Sequence, residues 1–216
     1  MTYLEAVNSV LRRLREREVS SVSETSYSRL IGDFVNDARA EVENAWNWSS
    51  LRTTLTLTTT ANIFNYELNG SQNNFNVIDV LNDTTNMFME YKSGPEFDKL
   101  FLTQEPTARG APDCYNWNGV SNDGDTQVDI YPIPDGVYTI RFNVLLRNTD
   151  LTADSTTIKV PHRPVVLLAF ARAVEERGED GGNTSQYAYG SGMRALADEI
   201  AYDAARRPED TIWYPV

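Results

Sequence analysis

Residues 22–48, VSETSYSRLIGDFVNDARAEVENAWNW, form the longest run of helical periodicity in the chain. Tyr27, Leu30, Ile31, Phe34, Val35, Ala38, Val42, Ala45 and Trp46 recur at spacings of three and four, which places them on one face of a 3.6-residue helix. Arg29, Asp33, Asn36, Asp37, Arg39, Glu41 and Glu43 occupy the opposite, polar face. Ser23 can accept from the free N–H groups of the first turn and is the expected N-cap. The helix runs through Trp46-Asn47-Trp48 into LRTTLTLTTT, where leucine and threonine alternate as in a half-buried strand. A helical part and a β part therefore meet at this point.

Upstream, residues 2–17 predict a first helix. Leu4, Val7, Val10, Leu11 and Leu14 make its apolar stripe, and Thr2 with Glu5 its capping box. Arg12, Arg13, Arg15 and Arg17 gather at its C-terminal end, where the helix dipole favours cations. The Val19–Val22 link is short, so the two helices are expected to pack as an antiparallel hairpin.

Downstream the period stays near two as far as Ile158. IFNYEL, NVIDVL, MFMEY, CYNWNGV, TQVDIYPIP and GVYTIRFNVLL predict further strands, separated by Asn-, Gly- and Asp-rich turns. A short helix is expected over 95–102, opened by Pro95. Pro132 and Pro134 end a strand, because proline cannot donate to a ladder. Helical patterns return at PVVLLAFARAVEER (164–177), closed by Gly178, and at 185–206. In the last helix Tyr189, Met193, Leu196, Ile200 and Ala204 are expected on the core face, and Gly190 and Gly192 weaken the first turns. The fold class is α+β: a helical bundle of 1–48 and 160–207, an antiparallel β-sandwich or barrel inserted at 49–159, and a tail at 208–216.

Composition narrows the function. The 216 residues carry a net charge of −12, so the surface repels nucleic-acid phosphate. One cysteine, Cys114, excludes an intramolecular disulfide framework. His162 is the only histidine, which excludes multi-histidine metal sites. There is no Gly-rich phosphate loop, and Asn122-Asp123-Gly124-Asp125 reads as a β-turn rather than a calcium loop. No membrane span and no signal-peptide pattern are present, so a soluble protein is expected. No catalytic constellation, metal site or cofactor is expected.

Several stretches resemble the phage head-to-tail adaptors, a family that includes the gatekeepers of the tail tubular protein A type. They are Leu4-Glu5-Ala6-Val7-Asn8 followed by Leu11, and Ala45-Trp46-Asn47-Trp48 before a Thr-rich strand. Asp129-Ile130-Tyr131-Pro132-Ile133-Pro134-Asp135 is another, as is the Pro164–Gly178 helix ending Ala173-Val174-Glu175-Glu176-Arg177-Gly178. The resemblance implies a virion protein without enzymatic activity, assembled in the host cytoplasm into a homo-oligomeric ring, commonly of twelve copies. It implies partners as well: the portal protein on one side and a downstream tail or nozzle protein on the other. DNA would pass through an acidic channel that offers no phosphate contacts. The tail 208–216 resembles the extensions by which some adaptors reach into the portal, which makes Ile212, Trp213 and Tyr214 candidate portal-docking residues. Packing of these residues onto their own domain is the open alternative. A receptor- or carbohydrate-binding tail module is the competing function, because the β part is rich in Asn, Tyr and Trp.

Overall fold

The computed structural model describes residues 1–72, 74–103, 107–178 and 183–206. The chain divides into two compact units, one of 1–51 with 148–216 and one of 52–147.

Among its described residues the first unit holds four helices: α1 (Tyr3–Arg13), α2 (Ser26–Ala45), α4 (His162–Arg177) and α5 (Asn183–Ala205). The Thr2–Glu5 capping box forms as expected, with Thr2 N–H donating to Glu5 Oε2 at 2.8 Å. α1 stops four residues before position 17. Leu14 caps it, and Arg15 turns left-handed at φ 59°. Arg15 N–H then reaches Arg12 O, and Glu16 N–H reaches Leu11 O. This is the Schellman closure, with arginine in the place glycine usually takes.

α2 begins later than expected. Its cap is Thr25, not Ser23; Thr25 Oγ1 accepts from Ser28 N–H at 2.9 Å. Val22 and Ser23 belong instead to a turn whose carbonyls are taken by Ser28 Oγ and by the Arg29 guanidinium. The helix ends at Ala45, where Trp46 becomes extended. The buried Trp48 folds back, and its indole N–H donates to Val42 O at 2.6 Å. The polar face of α2 is also narrower than its pattern indicated: Asn36, Arg39 and Glu43 are buried.

These three residues fasten an extended strap, residues 148–158. Glu43 accepts from Asn148 N–H and Nδ2. Arg39 donates to Thr149 O at 2.8 Å and pairs with Glu43 at 3.6 Å and Asp150 at 3.3 Å. Asn36 accepts from Leu151 N–H at 2.8 Å and donates to Leu151 O at 3.1 Å. Further along, Tyr3 N–H donates to Thr156 O and Ile158 N–H to Met1 O. The change of period alone returned the chain to the helices at residue 160; these bonds group it with them from Asn148.

α4 opens after Pro161 and closes on left-handed Gly178, whose N–H reaches Val174 O. α5 is not delayed by its glycines. At Gly192 a Cβ would stand 2.8 Å from Leu168 Cδ2 of α4, so glycine permits the close approach of the two helices. The core face of α5 is accordingly Ala188, Gly192, Ala195 and Leu196. The expected Tyr189 and Met193 are exposed, because small residues meet α4 and displace the large ones outward. Val7, Val10, Ile31, Val35, Val42, Trp48, Val165, Leu168 and Leu196 share one apolar cluster.

The second unit has two four-stranded sheets. In one, β1 (Arg52–Thr58), β8 (Thr139–Leu146), β3 (Phe75–Asn82) and β4 (Met87–Phe88) lie in that order, all antiparallel. In the other the order is β2 (Asn65–Glu67), β7 (Thr126–Tyr131), β6 (Cys114–Val120) and β5 (Glu90–Tyr91). The expected single strand MFMEY is two strands. It crosses between sheets at buried Met89, and β5 then pairs with β6 in parallel, so the β part is not wholly antiparallel. Leu57, Val80, Ile140, Phe142 and Val144 from one sheet and Tyr115, Val128 and Ile130 from the other form one apolar cluster. Phe97 and Phe101 of α3 (Gly94–Thr103) pack on Tyr131. β7 ends before Pro132, as expected. The 122–125 stretch is a turn. Asp125 accepts from Gly70 N–H at 2.8 Å and Gln72 N–H at 2.7 Å, which gives its carboxylate a structural use.

Candidate functional site

Cys114 is buried on β6 with its thiol toward Tyr131 O, and burial, helped by Asp113, pushes its pKa up to about 12. A thiol held neutral in this way is a poor nucleophile. His162 is the exposed first residue of α4. Among the described residues no group of three His, Cys, Asp or Glu side chains could hold a metal.

What the helical unit does offer is surface. Tyr187 and Tyr202 project from α5 at 74% and 71% exposure, with Ala197, Ala201 and Ala205 exposed on the same helix. A groove of about 250 Å³ lies where the end of α1 meets α4 and the start of α5. Leu14, Phe170 and Val174 supply its apolar lining, and Arg13, Arg15 and Arg177 its charge. Arg13 donates to Ser9 O and Oγ, and Arg177 to Glu16 and to the Tyr27 hydroxyl. Arg15 makes no ion pair among the described residues. Its left-handed backbone costs about 1–2 kcal/mol, a cost that glycine would not incur.

A second groove, about 300 Å³, lies near Arg206 and includes Lys159, His162, Glu199 and Asp203. Asp203 is buried there, accepting from Trp46 Nε1 at 3.0 Å and from Ser49. That bond ties the Trp46 end of α2 to α5. The pattern Trp-Asn-Trp marked a junction in the sequence, but nothing in it pointed to Asp203.

The family model of the SU10 adaptor protein matches residues 1–212. The chain belongs to that family. No curated protein matches it. Membership agrees with the resemblance to phage head-to-tail adaptors and gives the adaptor a structural role as a virion component. Among the described residues no helix is long and apolar enough to cross a membrane.

The two grooves and the α5 face are thus candidate contact surfaces of an adaptor. Sequence reasoning singled out Ile212, Trp213 and Tyr214 instead, and these lie outside the described residues. The arginine groove was half legible: Arg13 and Arg15 belong to the run that stands out in the sequence, but Phe170, Val174, Arg177 and Thr184 join them only through the fold.

Proposed function

We propose that the protein is a ring-forming adaptor between the phage portal and the tail, without enzymatic activity. The family match across residues 1–212 carries this reading. In it, the four long helices act as a bundle domain, and the two sheets as an inserted sandwich around their shared apolar cluster. The ring, of about twelve copies in a closed cyclic arrangement, meets the portal on one side and a downstream tail or nozzle protein on the other. The net charge of −12 lets DNA slide through the channel without phosphate contacts. Ile212, Trp213 and Tyr214 contact the portal through the aromatic anchors that such interfaces favour.

Mass photometry of the full chain, alone and mixed with the matching portal, tests the reading. A portal-bound ring near twelve copies is expected. No association at low or moderate salt would overturn it. Deleting 208–216 is expected to leave a folded protein that no longer binds portal.

A further inference from the structure

The arginine groove stands out because it opposes the charge of the whole chain. Arg13, Arg15 and Arg177 surround Leu14, Phe170 and Val174 in a protein of net charge −12. Among the described residues no carboxylate lines it, and Glu16 at its edge pairs with Arg177 at 2.6 Å, which leaves Arg13 and Arg15 as its unneutralised charge. Arg15 stands at a helix-closing position where glycine would be the unstrained choice, so its retention there calls for a use of the side chain. The ligand that fits is an acidic segment followed by apolar and aromatic side chains. The chain contains one: Glu209-Asp210-Thr211-Ile212-Trp213-Tyr214.

That segment cannot come from the same copy. The groove touches Thr184 at the start of α5, and the segment departs after Arg206 at its end. Twenty-two residues of helix separate those points, about 33 Å at 1.5 Å per residue. Trp213 lies seven residues past Arg206, a reach of at most about 25 Å when fully extended. The nearer groove at Arg206 sets Lys159 and Arg206 against Glu199 and Asp203, so it has no excess of cations for Glu209 and Asp210.

We propose that, before the portal is met, the groove of Arg13, Arg15 and Arg177 seats the 208–216 segment of a second copy of this chain. Glu209 and Asp210 face the guanidinium groups, and Trp213 covers Leu14, Phe170 and Val174. The inference rests on the ring reading for its neighbour, and it assigns the candidate portal-docking residues a prior partner.

The test places a photo-crosslinking benzoylphenylalanine at position 213 of the full chain. Isotopically heavy and light copies are mixed without portal, and the crosslinked peptides are read by mass spectrometry. Crosslinks between heavy and light copies, landing in 13–15 and 170–184, are expected. Arg15→Gly, which relieves the left-handed strain, is expected to hold or raise the melting temperature while reducing those crosslinks. The combined Arg13→Glu and Arg15→Glu variant is expected to reduce them roughly three- to tenfold, the size of two partly exposed ion pairs. Adding Glu209→Lys and Asp210→Lys is expected to restore them. Crosslinks within one copy, crosslinks at the groove of Lys159 and His162, or crosslinks that form only onto added portal would each overturn the proposal. Failure of the ring reading is separate: no ring by mass photometry, with or without portal, while the crosslinks between copies persist.

Discussion

The two units of this adaptor are held together by different chemistry. In the β unit the core is apolar and aromatic: Phe142 packs near Tyr115 and Trp117 at centroid distances of 5.9 and 5.8 Å, and the strands carry their own backbone hydrogen bonds. In the helical unit the apolar cluster is joined by buried polar groups, Asn36, Arg39, Glu43 and Asp203. Each of them bonds to chain outside its own helix. The difference follows from backbone bonding. A strand finds its ladder in the next strand, whereas the strap at 148–158 has few such partners and needs side chains to satisfy it. In the helical unit the buried Asn36, Arg39 and Glu43 mark where irregular chain is pinned to a helix, whereas the buried Thr59 and Asn82 of the β unit hold loops at Gly136 and Pro112.

The sharpest way to break that comparison is Arg39→Met. It leaves Glu43, 3% exposed, without its cation, and a loss of about 3–5 kcal/mol is expected in urea unfolding followed by Trp48 fluorescence. A loss below about 1 kcal/mol would mean that the strap does not depend on buried charge. Phe142→Ala is the counterpart in the β unit. It is expected to cost about 3–5 kcal/mol through the cavity it leaves, seen first in the signal of Trp117.

Gly32→Ala asks how closely α1 and α2 are matched. The new Cβ would overlap Tyr3 Oη and stand 2.8 Å from Val22 Cγ1, so a loss of about 1–3 kcal/mol in the same assay is expected. A last effect concerns alkaline pH. Burial pushes the Cys114 thiol from 9.0, and the Tyr3 phenol from 10.0, up to about 12. The folded state therefore holds both protons more tightly than the unfolded chain, and that contribution is complete below pH 9. It is lost as pH rises toward about 12, beginning near 9 for the β unit and near 10 for the helical unit. Urea midpoints that rise across this range would contradict the assignment.

Much of the architecture was legible. The Thr2–Glu5 box, the long helix, Gly178 and most strands follow from local patterns, because periodicity and caps record which face meets water and which backbone groups need partners. The misreadings share a cause. Asn36, Arg39 and Glu43 look like solvent-facing residues until the strap arrives to use them, and MFMEY looks like one strand until Met89 crosses between two sheets. Gly192 looks like a helix weakener until Leu168 stands against it. Of the groove, Arg13 and Arg15 stood out only as part of a basic helix end, with nothing to show an apolar partner.

By itself the sequence determined the class of elements, their order, the excess of negative charge and the exclusion of a disulfide framework or a multi-histidine site, since these depend on residue type and near neighbours. Only the tertiary structure decided which polar residues are buried, which face of α5 is covered, and that Phe170 and Val174 join Arg13 and Arg15 in one groove. Those outcomes depend on partners distant in the chain, from Leu168 against Gly192 to Leu151 on Asn36, and local hydropathy carries no record of them.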